Sequence, residues 1–269
     1  MGVDKLIEAT TEPITNIANP PARSIGKFFG DTLDFWFSNR ELKYAQKKIM
    51  DELVLKKFRE EIEAEYAKIP EEELIPPRKA LLLPALDAAE YYVEEEELRQ
   101  MFARLIASTF DGRKASKVHP SFKSIIQALS PLDAQNLQSF IEYYPPSRPR
   151  FVAKLVLRPY APWHYGLPEY LFFGNKKETD LHLQCVSLRV LVSHELLYYD
   201  KMSEGVLEIL GDNFAIHKQY YCDAVRCSKY QNSNAEDDYD KSEKYDLKLT
   251  PFGEDFCSVC ILPSMEATS

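Results

Sequence analysis

The side chains with the most capacity for chemistry are one histidine, two cysteine pairs and a run of acids. His119 precedes Pro120 and Ser121. Acid–base catalysis needs an imidazole in reach of a nucleophile, with a further group to orient it. No carboxylate or nucleophile stands at a catalytic spacing from His119. Its position ahead of a proline at a helix start predicts a structural role in a loop or cap. Cys257-x2-Cys260 and Cys222-x4-Cys227 could supply four thiolates to zinc. Yet Cys257 and Cys260 fall in the apolar run 256–262, three apart on a predicted helix, and no glycine-rich knuckle accompanies either pair. With Cys185 the cysteines number five, an odd count in a mid-sized chain, so reduced and mostly buried thiols are expected. The acids Glu94, Glu95, Glu96 and Glu97 are consecutive and diverge on a helix. They suit the first turn of a following helix, where negative charge complements the dipole, better than one metal ion. The expectation is no catalytic residue, no metal and no cofactor. A nuclease would need a carboxylate cluster for Mg²⁺, and no such spacing appears.

These residues are carried by a chain of predicted helices. Ile14, Ile17, Ala18, Ile25, Phe28, Phe29, Leu33, Trp36 and Phe37 recur at helical spacing, broken by Pro20-Pro21. Residues 1–40 therefore read as an amphipathic N-terminal arm, with a helix from about Ala22. The arm packs on the body or on another copy; the alternative is peripheral membrane contact, which would need a basic polar face. Arg23, Lys27, Asp31 and Asp34 cancel instead. Residues 41–69 predict one long helix with a single buried stripe, ended by Pro70. Residues 79–90 predict a helix with Pro84 at a kink or start. Leu98, Met101, Phe102, Leu105, Ile106 and Phe110 form a clean stripe closed by Asp111-Gly112. After the basic loop 113–117, Pro120 suits the first turn of a helix bearing Ile125, Ile126 and Leu129. Ser130-Pro131-Leu132-Asp133-Ala134 reads as a shortened capping box, with Ser130 as N-cap, Pro131 at N1 and Asp133 at N3.

Past a boundary near 145–150 the composition shifts. Residues 151–157 predict a strand, 159–175 an aromatic loop, 181–197 a helix and 206–221 a strand pair. Residues 232–244 are acidic, lack apolar periodicity and predict a mobile loop. Residues 245–249 predict a strand, and Thr250-Pro251 caps a final helix. The fold class is mainly α with a small β component: an N-terminal multi-helix body, then a winged-helix-like α+β module. The predicted divisions are 1–40, 41–146, 147–263 and a tail at 264–269.

Charge narrows the function classes. The 269 residues carry Lys+Arg 33 and Asp+Glu 42, a net −9, which disfavours general affinity for polyanions. The charge is uneven: residues 113–158 hold eight bases against Asp133 and Glu142, a local +6. Arg113, Lys114, Lys117, Arg148 and Arg150, with Trp36, form the candidate interaction surface. Its expected target is an acidic surface of the same molecule or of a protein partner, ahead of nucleic acid. No apolar run reaches the ~18 residues of a spanning helix and no secretory signal is evident, so a cytoplasmic location is expected.

Val118-His119-Pro120-Ser121-Phe122 followed by Leu129-Ser130-Pro131-Leu132-Asp133-Ala134 resembles the abortive-infection alpha family, a bacterial family also described as a domain of unknown function. Residues 81–88 and 97–107 fit that resemblance, as does the C-terminal Leu249-Thr250-Pro251-Phe252-Gly253 with Phe256. It covers roughly residues 70–260. The resemblance implies a bacterial or prophage-borne defence protein that limits phage spread. The expected mode of action is protein contact, as sensor or effector, with a protein partner or by self-association. It transfers no catalytic residue. The matching positions His119, Pro120, Ser121, Phe122, Ser130, Pro131, Asp133, Ala134, Thr250, Gly253 and Phe256 read physically as caps, turns and packing. Two alternatives stay open: a DNA-binding winged-helix regulator, and a membrane-disrupting effector acting through the arm.

Overall fold

The computed structural model describes residues 22–47, 52–142, 155–158, 171–172, 180–201, 218–219, 222–223 and 235–262. Helices α1 (Ala22–Lys47), α2 (Glu52–Tyr66), α3 (Lys79–Ala89), α4 (Glu96–Ser108), α5 (Phe122–Ala128) and α6 (Pro131–Glu142) precede the first strand. Strands β1 (Leu155–Arg158) and β2 (Leu171–Phe172) follow, then α7 (Leu181–Ser193), β3 (Leu197–Lys201), α8 (Ala235–Lys241), β4 (Glu243–Leu249) and α9 (Pro251–Cys260). The chain is mainly helical with a small antiparallel sheet, as the sequence predicts.

Helix α4 is the hub. It touches α2, α3, α5, α6 and α9. Its stripe of Leu98, Met101, Phe102, Leu105 and Ile106 is buried, and Ala103, Ala107 and Ser108 are buried too. A helix covered on so many sides can pack only if its polar groups are satisfied. Ser108 Oγ donates to the Val259 carbonyl at 3.1 Å, tying α4 to the C-terminal helix. Arg99, only 3% exposed, donates from Nε and Nη2 to Glu61 on α2 at 2.9 and 3.1 Å. Its Nη1 holds the Val93 carbonyl at 2.9 Å. The fork thus joins two helices and the loop before α4. The apolar core runs without a break from Phe58 and Phe102 to Leu188, Leu247 and Phe256, across the composition boundary near 146.

Helix α1 lies antiparallel on α2. Trp36 and Phe37 meet Phe58, while Phe29 stacks on Tyr66 with ring centroids 3.8 Å apart. The described part of the arm, from Ala22, therefore packs in cis; Ile14, Ile17 and Ala18 lie outside the described residues. It also runs on to Lys47, so the predicted boundary at 40 and the single helix over 41–69 give way to two helices. The stripe predicted through Ile49, Leu53, Ile62, Tyr66 and Ile69 is also shifted at its start: Leu53 is exposed, and Leu55, Phe58 and Ile62 carry the buried face of α2. Pro84 sits inside α3, where it removes the donor for the Ala80 carbonyl. Ala80 is exposed, so water can take that carbonyl.

The sheet order is β2-β1-β4-β3, all neighbours antiparallel. The order α7, β3, α8, β4, α9 is consistent with a winged-helix-like arrangement in which α8 lies between the two strands in sequence. Helix α7 stops at Ser193, short of the predicted 197, because Glu195 takes a left-handed φ of 57° and Leu197 starts β3. Of the predicted strand pair over 206–221, only 218–219 are described, and they are helical.

The acidic 232–244 stretch is also corrected: residues 235–241 form α8 and 243–244 open β4. Ala235 and Tyr239, four apart, supply a buried side. The Lys244 ammonium donates to the carbonyls of Tyr239, Asp240 and Ser242 at 2.9, 3.2 and 2.9 Å, covering the helix end. Two apolar residues are too few to show a period, and a capping lysine after the helix leaves no motif.

Arg99→Ala should cost about 3 kcal/mol in urea unfolding, because it strands Glu61 and the Val93 carbonyl in a mostly buried setting. Lys56→Ala, which breaks an exposed pair with Glu60, should cost less than about 0.5 kcal/mol.

Candidate interaction site

The segment 118–122 forms a tight turn into α5. Val118 is buried, and the Phe122 amide donates to the His119 carbonyl at 3.1 Å. Pro120 pre-sets the first corner, and Ser121 at φ −75°, ψ −16° takes the second. His119 Nδ1 lies 2.6 Å from Ser121 Oγ and accepts the Ser121 amide at 3.2 Å. An amide only donates, so Nδ1 accepts and the ring proton stands on Nε2. A serine thus does stand in reach of His119. The shared amide bond marks the pair as a turn lock, and among the described residues no carboxylate bonds the ring.

The C-terminal motif meets this turn. Phe252 packs edge-to-face on His119 at 5.7 Å and on Phe122 at 5.4 Å. Phe256 meets Phe122 at 5.1 Å and 87°. Such crossed rings set positive edges on negative faces. Phe122 and Phe256 are fully buried, whereas His119, Pro120 and Pro251 are exposed and Ser121 and Phe252 are half-buried. Two segments far apart in sequence therefore share one aromatic core and one exposed rim.

Helix α9 is held there by its first turn. Thr250 Oγ1 accepts the Gly253 amide at 2.8 Å and donates to the Glu195 carbonyl, and the Thr250 amide donates to Leu196 O at 3.1 Å. Pro251 occupies the start, where no amide is needed. A Cβ on Gly253 would stand 2.0 Å from Leu196 O, so only glycine admits this crossing. The capping box at α6 is formed as predicted: the Ser130 amide and Oγ donate to Asp133 Oδ2 at 2.7 and 2.8 Å, and the Asp133 amide returns to Ser130 Oγ at 3.3 Å. Pro131 begins that helix, and Asp133 and Ala134 are buried. This box belongs to a different junction. One turn on, Asn136 donates to Gln184 and Ser187 of α7 at 3.0 and 2.8 Å.

The basic loop faces its own chain. Arg113 forks onto Asp111, itself fully buried, at 2.9 and 2.8 Å. Lys117 lies 4.0 Å from Asp255 on α9. Lys114 reaches the Leu262 carbonyl at 3.5 Å. Burial pulls its pKa below the usual lysine value, against the pull of Asp111 and Glu65. Arg148 and Arg150 lie outside the described residues. Trp36 leaves the candidate surface: at 4% exposure it is core between α1 and α2.

Cys257 and Cys260 are buried on α9, where burial pushes both thiols well up and keeps them protonated. Cys222 is buried as well, and Cys227 lies outside the described residues. Among the described residues no three His, Cys, Asp or Glu side chains gather in a way that could hold a metal ion.

Residues that sequence reasoning passed over are Glu195 and Leu196, which receive α9, and Asp111 and Asp255, which take the loop's cations. The only signal for the first pair is Gly253 itself, a residue unfavourable inside a helix unless something crosses closely.

The profile of the abortive infection alpha family matches residues 50–260. The chain belongs to that family. No curated protein and no solved structure matches it. The abortive infection alpha match takes in α2 to α9 and both motif segments, while α1 lies ahead of it.

Gly253→Ala should destabilise the protein by at least about 2 kcal/mol in thermal or urea unfolding. Gly30→Ala, with open space around it in α1, should instead be neutral or stabilising by up to about 1 kcal/mol. For Lys114 the unfolded chain holds the proton more tightly than the fold does. Stability therefore rises as pH climbs from the lowered pKa towards 10.5. Lys114→Met should melt above the parent at pH 7, and the difference should close as the pH approaches 10.5.

Proposed function

We propose that this abortive infection alpha protein limits phage propagation through protein contacts, as a sensor or effector. Its contact surface is the shared rim of His119, Pro120, Ser121, Pro251 and Phe252. The observation that carries the reading is that the two family-motif segments converge on one aromatic cluster whose outer atoms stay exposed. Caps and buried rings account for Thr250, Gly253, Phe122 and Phe256; they do not account for the exposed edge of His119. The surrounding charge also suits a protein partner, since Arg113 and Lys117 face acids of this chain.

The alternatives draw less support. A DNA-reading helix offers cations and amides to phosphates and bases. The outward face of α7 instead carries exposed Leu183 and Val186 beside Arg189. A membrane-active arm needs its apolar face free, and α1 turns Ile25, Phe29, Leu33, Trp36 and Phe37 inward. No helix among the described residues is long and apolar enough to cross a membrane.

Phage challenge of bacteria expressing the intact chain tests the proposal. Expression should lower plaque counts. His119→Ala should restore them while costing about 1 kcal/mol of stability, the scale of its turn bonds. Plaque counts unchanged by the parent protein across a broad phage panel, or full protection by His119→Ala, would count against it.

A further inference from the structure

Positive charge borders one side of the exposed rim. Helices α3 and α5 touch and run in the same direction. At their starts Arg78 Nη2 reaches the Val118 carbonyl at 3.5 Å, and at their ends the Tyr92 hydroxyl donates to the Gln127 carbonyl at 3.0 Å. Arg78 and Lys79 are exposed beside the His119 turn, and half-buried Lys123 follows Phe122. Among the described residues no acid pairs with Arg78 or Lys123. Arg113 and Lys117, by contrast, face Asp111 and Asp255. The acids near the rim, Glu195, Glu254 and Asp255, lie on or beside α9.

The cations of α3 work against local stability. Helices α4, α6 and α9 open on Glu96 and Glu97, on Asp133 and on Glu254. Helix α3 opens on Lys79 with Arg78 as N-cap, no side-chain cap bond and no acid in its first turn. A helix start favours negative charge, so both cations raise the energy of the unbound chain. A residue choice that breaks a local rule with no gain inside the fold marks a place where binding supplies the gain.

We propose that the rim docks an acidic protein segment. An apolar residue of the partner seats on His119 and Phe252, and its carboxylates lie toward α3, on Arg78 and Lys123. This deepens the contact role given above and rests on it. The layout is an apolar centre with a charged border, and a guanidinium can take a carboxylate with two parallel bonds. A nucleic acid fits less well, because phosphates continuing across the rim would meet the acids of α9.

The test selects binders of the intact chain from a yeast-displayed library of random peptides. Selected peptides should be enriched in Asp and Glu beside an apolar residue. Their affinity should weaken with salt, fall by about tenfold or more on Arg78→Glu, and largely survive Arg78→Lys. Glutamate suits this helix start, so Arg78→Glu should melt at or above the parent, and its loss of binding is not a loss of fold. Selection that enriches no acidic sequence, or acidic binders indifferent to Arg78→Glu, overturns the proposal. So does salt-sensitive binding of a labelled DNA or RNA duplex that Arg78→Glu abolishes. In phage challenge Arg78→Glu should lose protection as His119→Ala does. Protection kept by Arg78→Glu but lost by His119→Ala overturns the acidic partner and leaves the contact role of the rim standing. Peptide selection reads the surface whether or not the parent protects, so the two readings fail separately.

Discussion

The seating of α9 depends on one missing atom. With no Cβ at Gly253, the helix start can press against the Leu196 carbonyl, and Thr250 can then cap its own helix while holding the Glu195 carbonyl. From that contact the rest follows in order. Phe252 and Phe256 reach the ring of Phe122; Val259 presents its carbonyl to Ser108 of the central helix; and Asp255 stands near Lys117. A side chain at 253 would push α9 outward and loosen each of these at once. The C-terminal motif is therefore a joint between sheet and helical body, and the His119 turn is the surface it is joined to.

The charge distribution has the same logic. A net −9 suggests a chain repelled by polyanions, but the basic loop at 113–117 carries the opposite sign. In the fold the loop's cations are turned to Asp111, to Asp255 and to the end of α9. Asp111 is fully buried, and the Arg113 fork supplies a donor to each of its two oxygens. The basic loop thus turns onto its own chain, and the exposed rim beside it holds an imidazole, two prolines and part of a phenyl ring.

Much of this was legible in the sequence where local chemistry and geometry coincide. Ser130, Pro131 and Asp133 specify a cap by residue type and spacing, and the hydrogen bonds are those the motif implies. The α4 stripe and the Thr250-Pro251 start were equally plain. What stayed hidden depends on long-range packing. Nothing in the neighbourhood of Trp36 says that α2 covers it. That 41–69 belongs to two helices shows only in which rings meet, Phe37 with Phe58 and Phe29 with Tyr66. Helix α8 needs Lys244, beyond its own end, to satisfy its carbonyls. The end of α7 is set by Glu195 turning left-handed under Thr250, a partner more than fifty positions away. For the site, the sequence named both motif segments but could not show that they touch.

That they form one physical unit is the central claim, and a double-mutant cycle on Phe122→Ala and Phe252→Ala measures it most directly. Unfolding free energies of the parent, the two single variants and the double variant in urea give the coupling between the rings. A coupling of about 0.5–1.5 kcal/mol is expected, the range for an edge-to-face aromatic pair. Effects that add to within about 0.3 kcal/mol would contradict it.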